Sequence, residues 1–303
     1  MENQLSISKS FLSEWKKYHD GTLCGYFFYL NQILKTIKTD PSDAMLWGQR
    51  FEYLATGAKL RDGSTPGEIL TKTGKPSPTE NARCEAQAQN WKKTVEKFGI
   101  EIISTGRVLQ VEKGFYRRKG ILDVECRIHK MPDPDTDRKG YFLNSFDAVI
   151  DLKSSGQMAT RWGDYAWDIY DKNSGEYSSF RNKLLEIGNH WIQPVDYKSI
   201  LREVGEHQNK PFYWFIASSS NDYHHELIEF PVHDDVLDNH TQRVNEIAIE
   251  LRDQIEKCQY PVPFAIRPDY RKCMDCPVPD CPYSEKSCKS HVTEYFGMSH
   301  YRL

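Results

Sequence analysis

No run in this 303-residue chain approaches the roughly 20 apolar residues that a membrane-spanning helix needs. The opening residues, Met1 to Lys17, also lack the apolar core of a secretory leader. A protein of the cytoplasm, with no membrane partner, is the expectation. An excess of positive charge is missing too: 40 Lys and Arg stand against 43 Asp and Glu, a net charge of −3. Contact with a polyanion would therefore rest on local patches such as Arg117-Arg118-Lys119, Lys130, Arg138-Lys139 and Arg271-Lys272. Long disordered tracts and internal repeats are absent, and the length suffices to bury an adequate core.

What is present is organised around residues 117–156. Two β-type runs, Gly120 to Ile128 and Phe142 to Leu152, flank a polar Pro/Asp segment from Met131 to Gly140 that reads as a hairpin loop. Asp123 lies inside the first run, and Asp151 and Lys153 end the second. A charge within an apolar strand needs a compensating partner. Two carboxylates on neighbouring strands can share one divalent cation, and hard oxygen ligands suit Mg²⁺ or Mn²⁺. Lys153 follows Asp151 by two residues and so points to the same face of the strand. An ammonium there can orient an activated water or offset developing negative charge.

Before this stretch, residues 8–37 show helical spacing with a turn at Asp20-Gly21, and Asp40-Pro41-Ser42 opens a segment that contains Gly48 and Glu52. Gly48 there is expected to allow close backbone approach, with Glu52 one turn later. Residues 59–79 read as a surface loop, 78–98 as a helix and 100–112 as a strand. After it, an aromatic run over 157–190 reads as core or lid packing, with base stacking as the other reading. Gln193 and Tyr197 share one face of a helix that ends near Gly205. Strands follow over 212–218 and 226–232, then a long helix over 236–258.

Eight cysteines are present, and in a reducing compartment clustered thiols favour metal over disulfides. Cys273 and Cys276 have metal-ligand spacing, with Cys281 or Cys288 able to add a further thiolate. Local cysteines alone make a zinc ribbon; an iron–sulfur site fits as well with one remote ligand. Cys84 reads as structural.

Gly120-Ile-Leu-Asp123, then Asp151-Leu-Lys153, resemble the GxxD and DxK motifs of RecB-like nucleases in the PD-(D/E)xK superfamily. Gln193 and Tyr197 match that family's QxxxY motif in the expected order. Gly48 and Glu52 stand where the family has GxxxH, with Glu52 in place of the metal-binding His. The iron–sulfur branch, which includes CRISPR-associated exonucleases, takes one early cysteine and three late ones. Cys24, Cys273, Cys276 and Cys281 resemble that set, and the short spacing before Cys281 keeps Cys288 as the alternative.

The resemblance implies an α/β fold with a restriction-endonuclease-like core, a mixed sheet flanked by helices, and a C-terminal iron–sulfur region. It is expected to form a single domain: a helical part over 1–99, a nuclease core over 100–232, and a helix with the cysteines over 233–303. It further implies Mg²⁺- or Mn²⁺-dependent hydrolysis of DNA, single-stranded and from an end, with a 4Fe-4S cluster. Asp123, Asp151, Glu52 and the Leu152 carbonyl would hold the metal, while Lys153 activates water and Gln193 and Tyr197 position the site. The rival readings are a zinc-stabilised endonuclease and a non-catalytic DNA-binding subunit of the same fold.

Overall fold

The computed structural model describes residues 5–37, 40–60, 62–132, 141–156, 168–171, 176–179, 192–206, 210–220, 224–230, 232–257, 276, 278 and 281. Cys273, Cys288, the Arg138-Lys139 and Arg271-Lys272 patches, and the side chains of the aromatic run lie outside them. The chain divides into two compact units. One comprises residues 1–9 with 41–245, the other residues 10–40 with 246–303.

In the first unit, helix boundaries follow local chemistry. The helix Asp43–Thr56 starts where the Ser42 hydroxyl accepts the Met45 N–H, and the helix Pro78–Phe98 where Ser77 accepts that of Glu80. Pro78 sits in the first turn of the latter, where its missing N–H costs nothing. Gly99 ends it at φ +57°, a left-handed cap that favours glycine. Strands β2 (Ile100–Lys113) and β3 (Tyr116–Ile128) then form a long antiparallel pair. The strand β1 (Leu5–Ile7) and, later in the chain, β4 (Phe146–Ser155) complete the neighbourhood of β3.

The other edge of β3 is shared by these two strands. β1 runs parallel to it at Tyr116, Arg117 and Arg118, while β4 runs antiparallel to it from Val124 to Ile128. Residues 119–123 lie between those pairings. Beyond β4 come a two-stranded hairpin, β5 (Asp168–Asp171) with β6 (Glu176–Ser179), and the strands β7 (Phe212–Ser218) and β8 (His225–Phe230). β7 is parallel to β4 and antiparallel to β8, so the main sheet is mixed, as expected.

Among the described residues, the helices before the hairpin are α1 (Lys9–His19), α2 (Gly25–Phe28), α3 (Asp43–Thr56) and α4 (Pro78–Phe98). After it the described residues include α5 (Ile192–Glu203), which precedes β7, and α6 (Asp234–Lys257). One apolar cluster sets Val195, Ile200 and Leu201 of α5 and Val236 and Leu237 of α6 against Leu122, Val149 and Trp214 of the sheet. A second sets Phe51 of α3 and Ala88 and Trp91 of α4 against Val124, Ile150, Leu152 and Phe215. Val149 and Ile150 alternate between the clusters, which is the two-residue period of a strand covered on both faces.

In the second unit, Phe11, Trp15, Tyr18 and Phe28 form an aromatic cluster, with Tyr18 and Phe28 stacked at 5.4 Å. The helical spacing over 8–37 resolves into α1, which ends at the expected turn at Asp20-Gly21, then α2 and a π-helical turn, Tyr29–Ile33. Cys24 is the N-cap residue of α2. Among the described residues no helix is long and apolar enough to cross a membrane.

Candidate active site

The site forms where β3 and β4 part. Their ladder ends at Val124 and Ile150, and one residue further Asp123 Oδ2 accepts the Leu152 N–H at 2.9 Å. A side chain thus takes the place of a strand, satisfying an amide that the divergence would leave bare. A residue's N–H and C=O project from the same edge of a strand. The Leu152 carbonyl therefore faces the same opening.

Asp151 is buried on the α5 face of β4, level with Val149 and Lys153. The Gln193 amide nitrogen donates to its Oδ1, and the Lys153 ammonium lies against Oδ2 as an ion pair. Gln193 Nε2 also lies 3.5 Å from the Tyr197 hydroxyl, so the four-residue spacing brings these two side chains together on one face of α5.

Electrostatics tie in the remaining residues. Burial, then Asp151 and Glu52, push the Asp123 carboxyl well above the usual range, against the pull of Lys153. Glu52 of α3 is raised by burial and by Asp151. Burial alone would lower Lys153, but Asp151, Asp123 and Glu52 outweigh it and hold the ammonium charged. Burial, then Asp151, Asp123 and Asp196, raise the Tyr197 phenol, which stays protonated and accepts from Gln193. Three carboxylates therefore face one lysine. As placed, no three His, Cys, Asp or Glu side chains among the described residues converge closely enough to hold an ion. The donor set still suits a hard cation: oxygen only, with three carboxylates around a single ammonium.

Two expectations are corrected. A Cβ on Gly48 would meet nothing within 4 Å, so that glycine is not there for close backbone approach. It is Gly120 that performs such a role, since a Cβ on it would stand 3.1 Å from Cδ1 and Cε1 of Tyr197. Arg118, read as part of an exposed basic patch, is 1% exposed and paired with Asp196 at 2.6 Å. Arg117 and Lys119 alternate to the other side and are half-buried.

The sequence reading missed Arg118, Asp196 and Gln87 as parts of the surroundings. Gln87 of α4 donates to Ser154 Oγ at 2.8 Å and to the Ala217 carbonyl at 3.0 Å, tying the ends of β4 and β7 together. Asp196 sits inside the QxxxY segment and Arg118 two residues before GxxD, so proximity to the motifs was the available signal.

Among the cysteines, Cys84 and Cys126 are buried thiols pushed up by burial to about 11 and about 12, as structural residues should be. In the second unit Cys281 lies near enough to Tyr26 to raise its phenol, after the larger effect of burial.

The mixed sheet, flanked by helices and opened at a carboxylate–lysine site, defines an α/β architecture. Among solved structures, a protein from Eubacterium rectale provisionally named an exonuclease shares this fold at a TM-score of 0.53. The two are 15% identical over 91% of this chain and 95% of that one. No family model and no curated protein matches the chain.

Proposed function

We propose that this protein is a metal-dependent deoxyribonuclease, acting from an end on single-stranded DNA. The observation that carries the reading is the gathering of Glu52, Asp123, Asp151 and Lys153, with Gln193 and Tyr197, at one break in the sheet. Six residues spread over about 150 positions of sequence meet there. The fold shared with the E. rectale protein supports it, and that protein's name is of an exonuclease.

Asp123, Asp151 and Glu52, with the Leu152 carbonyl, would hold Mg²⁺ or Mn²⁺. Such an ion supplies Lewis acidity and a more acidic bound water. The chain's own residues do the rest. Lys153 brings a charged ammonium to the reaction centre, where it offsets charge gathering on the phosphate. Gln193 fixes the carboxylate of Asp151 by its amide, and Tyr197 presents a neutral hydroxyl beside it. Burial of Asp151 and partial burial of Asp123 strengthen each of these interactions relative to bulk water.

Cys24, Cys273, Cys276 and Cys281 would bind a 4Fe-4S cluster, with Cys288 as the alternative to Cys281. Two observations support this: residues 10–40 and 246–303 share one compact unit, and Cys281 lies near Tyr26, two residues from Cys24.

The test is cleavage of end-labelled and circular single-stranded DNA with Mg²⁺, Mn²⁺ or chelator. Degradation of the linear substrate alone, lost with chelator and in Asp151→Ala and Lys153→Ala, is the expected result. Unchanged cleavage in either variant would reject the site. Cleavage of the circle would make the enzyme an endonuclease.

A further inference from the structure

Arg118 and Gly120 stand two residues apart on β3, at the end of its pairing with β1 and in the stretch before β4 joins. Both meet α5. Arg118 Nη2 donates to Asp196 Oδ1 and to Ser199 Oγ, each at 2.6 Å, and Nη1 lies 3.3 Å from Glu203 Oε1. Gly120 leaves room for the Tyr197 ring and for Ile200, whose Cδ1 would stand 3.4 Å from an added Cβ. From α6, His240 Nε2 meets the same Asp196 oxygen at 3.1 Å.

We propose that Arg118 is a positioning residue for the reaction, setting the place of α5 along β3 so that Gln193 stays on Asp151. This inference rests on the nuclease reading. The apolar contacts of Val195, Ile200 and Leu201 hold α5 to the sheet, but such contacts are non-directional and tolerate sliding. A guanidinium is a planar fork with fixed donor directions. By gripping Asp196, Ser199 and Glu203, on successive turns, it fixes both the rotation of the helix and its height. Gln193 lies one turn before the gripped residues. A helix rises about 1.5 Å per residue, so a slip of a single residue would carry its amide out of reach of Asp151.

A buried ion pair is a poor device for stability alone, since apolar replacements of equal volume often do as well. What it adds here is geometry. Lysine, a point charge on a flexible stem, would keep the charge and lose the fork.

The experiment combines kinetics with a signal that needs no activity. Arg118→Lys is measured alone and in a Gln193→Ala background. The expected result is a fall in kcat of ~10-fold or more, in keeping with the cost of misplacing a positioning group. KM should change little, and the fall should be largely absent once Gln193 is gone. A purely structural role would instead give effects that multiply. In parallel, a fluorotyrosine placed at Tyr197 reports the seat of α5 by ¹⁹F resonance. A shifted or broadened signal is expected in folded Arg118→Lys and, as a second variant, in Gly120→Ala. An unchanged signal in both, or multiplying effects on kcat, overturns the proposal. An inactive wild type with a shifted signal would reject the nuclease reading and leave the seating itself standing.

Discussion

Asp123 is held in a state its chemistry resists. Its folded carboxyl binds a proton more readily than the unfolded one, so its contribution to stability is greatest below about pH 4. That contribution is lost as pH rises through the elevated folded value. Asparagine keeps an acceptor for the Leu152 N–H and never ionises. Asp123→Asn should therefore raise the unfolding temperature in chelator at neutral pH by the equivalent of ~1 kcal/mol, while destroying cleavage. A lower unfolding temperature would mean that the carboxylate is better compensated than its neighbours suggest.

Tyr197 contributes at the same scale in a different way. Its ring fills the space over Gly120 and its hydroxyl reaches Gln193. Tyr197→Phe keeps the packing and removes only the hydroxyl. Activity should fall by about tenfold, far less than the loss in Asp151→Ala, because positioning is graded where removal of a ligand is not. Steady-state cleavage rates of the two variants decide it. Equal residual rates would give the hydroxyl a larger part.

At the scale of the elements, α5 is fastened by charge as well as by apolar contact. Burial would raise Asp196, but Arg118 and His240 together bring its carboxyl below the ordinary range. A depressed carboxyl supplies stability above its unfolded value, roughly pH 4, and that stability is lost as pH falls through the lower folded value. Urea unfolding followed across the acid range should show a declining limb that flattens in Asp196→Asn. An acid limb of unchanged slope in that variant would place the proton uptake elsewhere.

Local signals explain which elements were legible in the sequence. Residues 78–98 read as a helix because Ser77, Pro78 and Gly99 mark both ends. The runs of β3, β4 and β7 stood out by apolar content, and β3 and β4 do pair antiparallel around the 131–140 segment. The start of β3 was placed at Gly120 rather than Tyr116, since Arg117-Arg118-Lys119 looks solvated until α5, some 80 residues later, supplies the carboxylates. β1 escaped because three residues carry no period and gain their strand only by pairing with β3. The candidate site was more legible than its supports. Motif residues are chemically conspicuous, whereas Arg118 is recognised only by its distant partners.

At the scale of the whole molecule, the cysteines sort by unit. A purified protein carrying 4Fe-4S should be brown, with broad absorption near 400 nm as is general for such clusters. Cys24→Ala and Cys281→Ala should lose iron and solubility together, because thiolates so far apart in sequence close a long loop. Cys84→Ala, buried on α4, should lose neither. Iron analysis on protein purified without oxygen settles the matter, and zinc without iron would overturn the cluster while leaving Asp123, Asp151 and Lys153 untouched.

The division of the chain into 1–9 with 41–245, and 10–40 with 246–303, also sets an order of events during synthesis. Residues 10–40 leave the ribosome early, yet the remainder of their unit follows only after roughly 200 further residues. At ~5–20 residues per second, that is a wait of about 10–40 s. The carboxylate site, contained within residues 41–245, is complete before the last four cysteines have been translated. Aromatic residues such as Phe11, Trp15 and Phe28 spend that interval without the segment that completes their unit. It is in this interval that a nascent chain is most open to chaperones and to self-association.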